Sequence, residues 1–387
     1  MQELLWLLLP VAAASGWVAA RRSQQRGHER PVGEHAPAYF RGLNYLLNEQ
    51  PDKAIDVFVQ MLEVDSETVE THLALGSLFR RRGEVERAIR IHQNLIARPT
   101  LSREQRAQAL LELGRDYMRA GLFDRAESLF NELREARSLQ EQALQNLRVI
   151  YQQERDWEKC LQVTEDLEAS AQDKLSLERA HYQCELAEES RAAGDEAKAR
   201  TWVKKALATH RDFTRALWLQ AELDMAAEDY RSASRLFQRI AEKDPELFGE
   251  VLPRLVECHQ RLGQPRELWA FLEDLLARRH DTPVLLALAD RVQEDQGDTA
   301  ALRFVAQELG TRPSLAGLLR LIRLSERTPD AALPEMFPIL RSIAERLIER
   351  RPGYQCVKCG FHAKTLHWQC PGCRRWSSVK PLHELED

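Results

Sequence analysis

The sequence has no His-Glu-x-x-His motif, no glycine-rich phosphate loop and no Gly-x-Ser-x-Gly elbow, so the usual signatures of metalloproteases, nucleotide enzymes and serine hydrolases are missing. Strand-like alternation is nearly missing before residue 353. Neither charge dominates: 55 basic residues face 60 acidic ones, a net charge of −5, which gives no basis for nucleic acid as the partner. Cysteine is scarce, seven in 387 residues, and four of the seven fall within 18 residues near the C-terminus. No oxidised framework is visible, which points to a reducing compartment. The scattered Cys160, Cys184 and Cys258 read as small buried packing residues. His92, His181 and His259 fall on helical stretches and read as packing or surface residues, so no catalytic residue is assigned.

What the chain has instead is a repeat. Between about Ala36 and Leu309 one pattern recurs: a small residue within a first helix, a polar or glycine turn, then alanine and a bulky apolar residue on a second helix. The clearest copy is Gly114, Tyr117, Gly121, Ala126, Phe130 and Leu133. Equivalent anchors are Gly42, Gly76, Gly114, Arg148, Ala187 and Ala221, at steps of 34, 38, 34, 39 and 34 residues. Two degenerate copies follow, around Val256, Gly263 and Leu268 and around Asp290, Gly297 and Leu302. A helix–turn–helix period of 34 residues resembles tetratricopeptide repeats. No such pair buries its apolar face alone, so neighbours must stack. The second-helix alanines (Ala54, Ala88, Ala126, Ala199, Ala233) permit close approach, and Phe58, Phe130 and Phe237 fill the space one turn on.

The one long apolar run is Leu4–Ala20, which carries no charge. At 1.5 Å per residue it spans roughly 26 Å, close to a hydrocarbon core. No basic residue precedes it, whereas Arg21, Arg22, Arg26 and Arg30 follow, so the spacing favours a retained single-pass membrane helix with its body on the cytoplasmic side. Ala12, Gly16 and Ala20 form a small-residue face suited to packing against another membrane helix.

Tetratricopeptide arrays form superhelices whose concave face is lined by first helices. That resemblance implies a partner groove at Tyr39, Leu43 and Leu47, then at Arg80, Arg81, Arg115 and Arg119. An apolar patch beside an arginine cluster suits a polypeptide segment carrying carboxylates.

After prolines at 313, 329 and 334, a last amphipathic helix is expected over Glu335–Glu349, stopped by Pro352-Gly353. Then come Cys356-x-x-Cys359-Gly360 and Cys370-Pro371-Gly372-Cys373. Two such pairs in a reducing compartment make a four-thiolate tetrahedral site for one metal ion, zinc or iron. About 30 residues hold no core unaided, so metal binding must stabilise the tail. Tyr354, Phe361, Trp368 and Trp376 are expected to pack around the site and against the last helices.

The two knuckles resemble rubredoxin, with Arg374 where glycine is usual. The order of anchor, ArgArg, repeat array and four-cysteine tail resembles the lipopolysaccharide assembly protein B family of Gram-negative bacteria over the full length. The expected fold is therefore all-α: a tetratricopeptide-repeat superhelix with an N-terminal transmembrane helix and a small rubredoxin-like metal knuckle. Its expected divisions are a membrane anchor (1–20), a linker (21–35), the array (36–310), C-terminal helices (311–352) and the metal domain (353–387). The resemblance implies a non-catalytic inner-membrane adaptor through which the protease FtsH degrades LpxC, the deacetylase committing precursor to lipid A. It also implies contacts with other inner-membrane lipopolysaccharide proteins, and a homo-oligomer is compatible with it. The alternatives are a passive scaffold for envelope enzymes and a rubredoxin-like electron carrier.

Overall fold

The computed structural model describes residues 36–382, apart from 49, 65–68, 171–174, 280, 312–313, 328–340, 343–344 and 346–351, and gives only the backbone of 36–39, 46, 51, 60–64 and 170. The apolar segment with Ala12, Gly16 and Ala20, the linker, the side chain of Tyr39 and most of the helix expected over Glu335–Glu349 lie outside the described residues. Among the described residues no helix is long and apolar enough to cross a membrane.

The chain forms two compact units that divide between Arg155 and Asp156. The first holds α1 (Ala36–Leu47), α2 (Pro51–Val64), α3 (Val69–Arg82), α4 (Val85–Ile96), α5 (Arg103–Arg119), α6 (Phe123–Glu135) and α7 (Gln140–Glu154). The second holds α8 (Trp157–Ser170), α9 (Ser176–Ala192), α10 (Glu196–Thr209), α11 (Thr214–Ala226), α12 (Tyr230–Lys243), α13 (Pro245–Leu262), α14 (Pro265–Arg279), α15 (Thr282–Gln296), α16 (Asp298–Thr311) and α17 (Leu315–Glu326). Three short strands complete it: β1 (Tyr354–Cys356), β2 (His362–Ala363) and β3 (Val379–Pro381).

The repeat dictates the packing. At the small position of the second helix in the first six pairs, Ala54, Ala88, Ala126, Cys160, Ala199 and Ala233 are fully buried. One turn on, Phe58, His92, Phe130, Thr164, Val203 and Phe237 are buried as well. The anchor glycine exists because this ring lies on it. A Cβ added at Gly114 would sit 2.5 Å from the Phe130 ring, and one at Gly42 would sit 2.6 Å from Phe58. The first helix of the Gly114 pair closes at Gly121, whose φ of 76° lets the Gly121 and Leu122 N–H groups cap the carbonyls of Met118 and Tyr117. Side chains start other helices: Ser102 and Gln105 form a capping box on α5, and Asp195 and Asp229 cap α10 and α12. Gly263 and Gly297, expected turn residues of the two degenerate copies, end α13 and α15 at positive φ.

His92 occupies the slot where three other pairs carry phenylalanine, and its polar atoms need partners. Nδ1 lies 2.5 Å from Asp116 Oδ2, while Asp116 Oδ1 accepts from Arg80 at 2.7 Å. Arg80 also donates to Glu112 at 2.6 Å. Burial works to raise the Glu112 carboxyl, but Arg80 and Arg115 outweigh it and hold it below the usual value.

The C-terminal strands form an antiparallel sheet ordered β2-β1-β3, with Tyr354 opposite Ala363 and Pro381. Its small core is Tyr354, Cys356, Ala363, Cys370 and Val379, with Phe361 and Leu366 packed against it.

Candidate metal centre and partner faces

The predicted ligands Cys356, Cys359, Cys370 and Cys373 converge, with all four sulfurs within 4.8 Å of one another. Cys356 Sγ lies 3.7 Å from Cys373 Sγ, and Cys359 Sγ lies 3.7 Å from Cys370 Sγ. Four sulfurs placed tetrahedrally at about 2.3 Å from a zinc ion lie roughly 3.8 Å apart, so the donor set fits such an ion. An all-sulfur tetrahedron suits zinc or iron equally.

Both knuckles use one backbone device. Gly360 N donates to the Cys356 carbonyl at 2.9 Å, and Arg374 N donates to the Cys370 carbonyl at 2.8 Å. Cys356 N then donates to Phe361 O at 2.8 Å, and Cys370 N to Arg375 O at 2.9 Å. The turn requires positive φ, 73° at Gly360 and 56° at Arg374. The departure from the rubredoxin pattern therefore changes the residue and keeps the conformation. Burial works to raise the Cys356 thiol, but the Ser378 hydroxyl and the N–H groups of Lys358 and Cys359 outweigh it and bring it down to about 6. Four thiolates this close repel one another, and a bound divalent ion would supply the compensating charge.

The metal domain, hereafter the knob, is docked. Trp376, three residues past Cys373, stacks on His181 of α9 with ring centroids 4.4 Å apart, and meets Tyr182 and Trp157 edge-on. Trp368, two residues before Cys370, meets Trp218 of α11 edge-on at 6.1 Å. The Arg215 guanidinium lies 5.7 Å from the Trp368 ring and 5.8 Å from the Trp376 ring. Arg215 is 2% exposed and paired with Glu185 at 2.9 Å and Glu188 at 3.1 Å. Tyr354 donates to Glu250 of α13, and Lys380 lies 3.1 Å from Glu246 and 3.7 Å from Asp244. Of the four aromatic residues expected around the site and against the last helices, Trp376, Trp368 and Tyr354 reach α8, α9, α11 and α13, and Phe361 packs within the knob. The sequence took His181 as a packing or surface residue and missed Arg215; neither carries a local signal of the contact.

His181 has one tautomer open to it. Nδ1 faces an Arg215 N–H at 3.4 Å, which can only donate, so the proton sits on Nε2 and points to Ser377 Oγ at 2.8 Å. Burial first, and Arg215 second, hold its pKa well below 6.5.

The first unit carries the predicted groove residues. Arg80, Arg81, Arg115 and Arg119 line one open cleft of about 450 Å³, joined by Met118 and Asn146. Leu43 is half-buried and Leu47 is 81% exposed on α1, and neither lines that cleft. Arg80 is tied to Glu112 and Asp116, and Arg115 donates to Glu112 at 2.6 Å.

Comparisons with known proteins agree with these parts. Residues 354–381 match the family model described as a rubredoxin metal binding domain. Residues 71–107 match a tetratricopeptide repeat and residues 115–138 a PPR repeat. The chain is 41% identical over 388 residues to lipopolysaccharide assembly protein B of Escherichia coli (strain K12), covering 100% of both chains. It is 35% identical over 396 residues to lipopolysaccharide assembly protein B of Haemophilus influenzae, again covering 100% of both. With a repeat array, a four-cysteine metal site and full-length identity at this level, the chain belongs to the lipopolysaccharide assembly protein B family.

Proposed function

We propose that the protein is a non-catalytic adaptor of lipopolysaccharide assembly, anchored in the inner membrane with its repeat array on the cytoplasmic face. Residues 1–20 form the anchor, and Ala12, Gly16 and Ala20 pack against a partner helix in the bilayer. Residues 21–35 link it to an array over 36–310, which residues 311–352 join to the metal domain at 353–387. The array binds the deacetylase LpxC and presents it to the membrane protease FtsH, and it gathers other lipopolysaccharide proteins at the same place.

The observation that carries this reading is the full-length identity to relatives that bear the name lipopolysaccharide assembly protein B. The architecture supports it. A stack of helix pairs offers long faces for polypeptides. Its buried histidines are engaged in structural contacts: His92 with Asp116, His181 with Ser377, and His259 with Ser234 and the Gln264 carbonyl.

Depletion separates an adaptor from a passive scaffold. When the protein is withdrawn from cells, the adaptor reading expects a longer LpxC lifetime and excess lipopolysaccharide. A passive scaffold leaves both unchanged.

A further inference from the structure

The faces of the two units differ in what covers them. On the second unit the knob supplies aromatic anchors, Trp368 and Trp376, and a cation, Lys380, which lies against Asp244 and Glu246. Between Gly353 and Leu382 the knob has five basic residues and no acidic one. An acidic rim therefore receives a basic, aromatic-tipped domain. This contact shows how a face of this array reads a partner: apolar anchors fix the position and opposite charge selects.

The cleft on the first unit has the reverse charge. Four guanidiniums, those of Arg80, Arg81, Arg115 and Arg119, stand against two carboxylates, Glu112 and Asp116. The carboxylates are consumed by Arg80 and Arg115, so the uncompensated charge is that of Arg81 and Arg119. Both are exposed, and neither side chain has a hydrogen bond or ion pair among the described residues. Arg115 and Arg119 lie one turn apart on α5, a like-charge spacing that weakens a helix and contributes nothing to its folding. Between them lies Met118, an adaptable apolar side chain of the kind that suits a docking surface, and the Asn146 amide reaches the same cleft.

We propose that this cleft binds an acidic peptide segment, in which carboxylates on either side of an apolar residue pair with Arg81 and Arg119 while the apolar residue rests on Met118. The proposal rests on the reading of the array as a partner-binding surface and names the chemistry of what it takes. Guanidinium and carboxylate match as planar, bidentate partners, which favours carboxylate side chains. The basic knob of a second copy is excluded by like charge.

The test uses the full chain in neutral phosphatidylcholine nanodiscs. The probe is a fluorescein-labelled peptide with a Glu-Asp pair on each side of one phenylalanine, beside its Gln-Asn counterpart. Fluorescence anisotropy is expected to report binding of the acidic peptide alone, weakened by added salt. In the double variant Arg81→Ala, Arg119→Ala the affinity falls by about tenfold or more. An unchanged unfolding midpoint shows that this variant is intact. Failure of the acidic peptide to bind, equal binding of both peptides, or undiminished binding to the double variant overturns the proposal. So does retention on phosphatidylglycerol vesicles that the double variant loses while neither peptide binds, an outcome that assigns the cleft to lipid phosphates. Binding seen only after removal of residues 383–387 assigns it to the chain's own acidic tail and also overturns it. The readout is peptide binding by purified protein, so its failure leaves the LpxC lifetime result standing, and failure of that result leaves this one standing.

Discussion

A ring on a glycine is the contact that sets the spacing of the first repeats. Replacing Gly114 with alanine puts a methyl group 2.5 Å from the fully buried Phe130 ring. Alanine gains about 1 kcal/mol of helix propensity, and overpacking costs about 1–3 kcal/mol, so Gly114→Ala is expected to lower the unfolding midpoint. Gly310 on α16 has nothing within 4 Å of an added Cβ, so Gly310→Ala keeps the propensity gain and raises the midpoint. The small anchors at 42, 76 and 114 were legible in the sequence because they recur with the repeat. The Arg80–Glu112–Asp116–His92 network was not, since its members are spread over residues 80–116 and the repeat pattern, which places His92 in its bulky slot, does not say which polar groups meet there.

His181 gives a pH signature at the same scale. Its folded pKa lies well below 6.5, owing to burial and then to Arg215. As pH falls the unfolded chain takes up the proton first, so the unfolded state binds more protons and stability falls with pH. The contribution is fully present above 6.5 and is lost progressively below it. Urea unfolding of the second unit, followed by tryptophan fluorescence, should show stability falling from about pH 6.5 to about pH 5.5 by up to about 1.4 kcal/mol per pH unit. His181→Gln should flatten that slope, and an equal slope in this variant would assign the titration to another group.

Among the elements, helices and knuckles were legible and docking was not. The 34-residue period marks the helix pairs because each buries the same face against its neighbour. The cysteine spacing marks the metal site because two tight turns are needed to present four sulfurs to one ion. The seat of the knob depends on pairs such as His181 with Ser377, 196 residues apart, which no local pattern records. Arg374 shows how conformation outlasts residue type. At φ 56° a side chain costs about 1–2 kcal/mol over glycine. Arg374→Gly should therefore stabilise the knob by about 1 kcal/mol, read as slower loss of metal to a chelator. Trp376→Ala removes the stack on His181 and leaves all four ligands in place. Cobalt substituted into this variant should keep its thiolate absorption while limited proteolysis removes the knob faster. Unchanged cleavage would mean that Trp368, Tyr354 and Lys380 suffice to seat the knob.

On the scale of the whole molecule, the two units differ in what their faces carry. The second unit closes one of its faces with a metal-stabilised domain of its own, and the first leaves a basic cleft open. Order and composition made both parts legible in the sequence, but not which face was already taken. As the adaptor proposed above, the protein would change no covalent bond itself. It would raise the local concentration of a substrate beside an enzyme, so its effect should depend on being joined to the membrane.

The most direct measurement is therefore a reconstituted degradation assay. FtsH in proteoliposomes is mixed with purified LpxC, and LpxC is followed over time with and without this protein in the same bilayer. The account predicts several-fold faster loss of LpxC when the protein is present, no acceleration by a version lacking residues 1–20, and no loss without the protease. An LpxC decay rate that is the same with and without the membrane-anchored protein would contradict it.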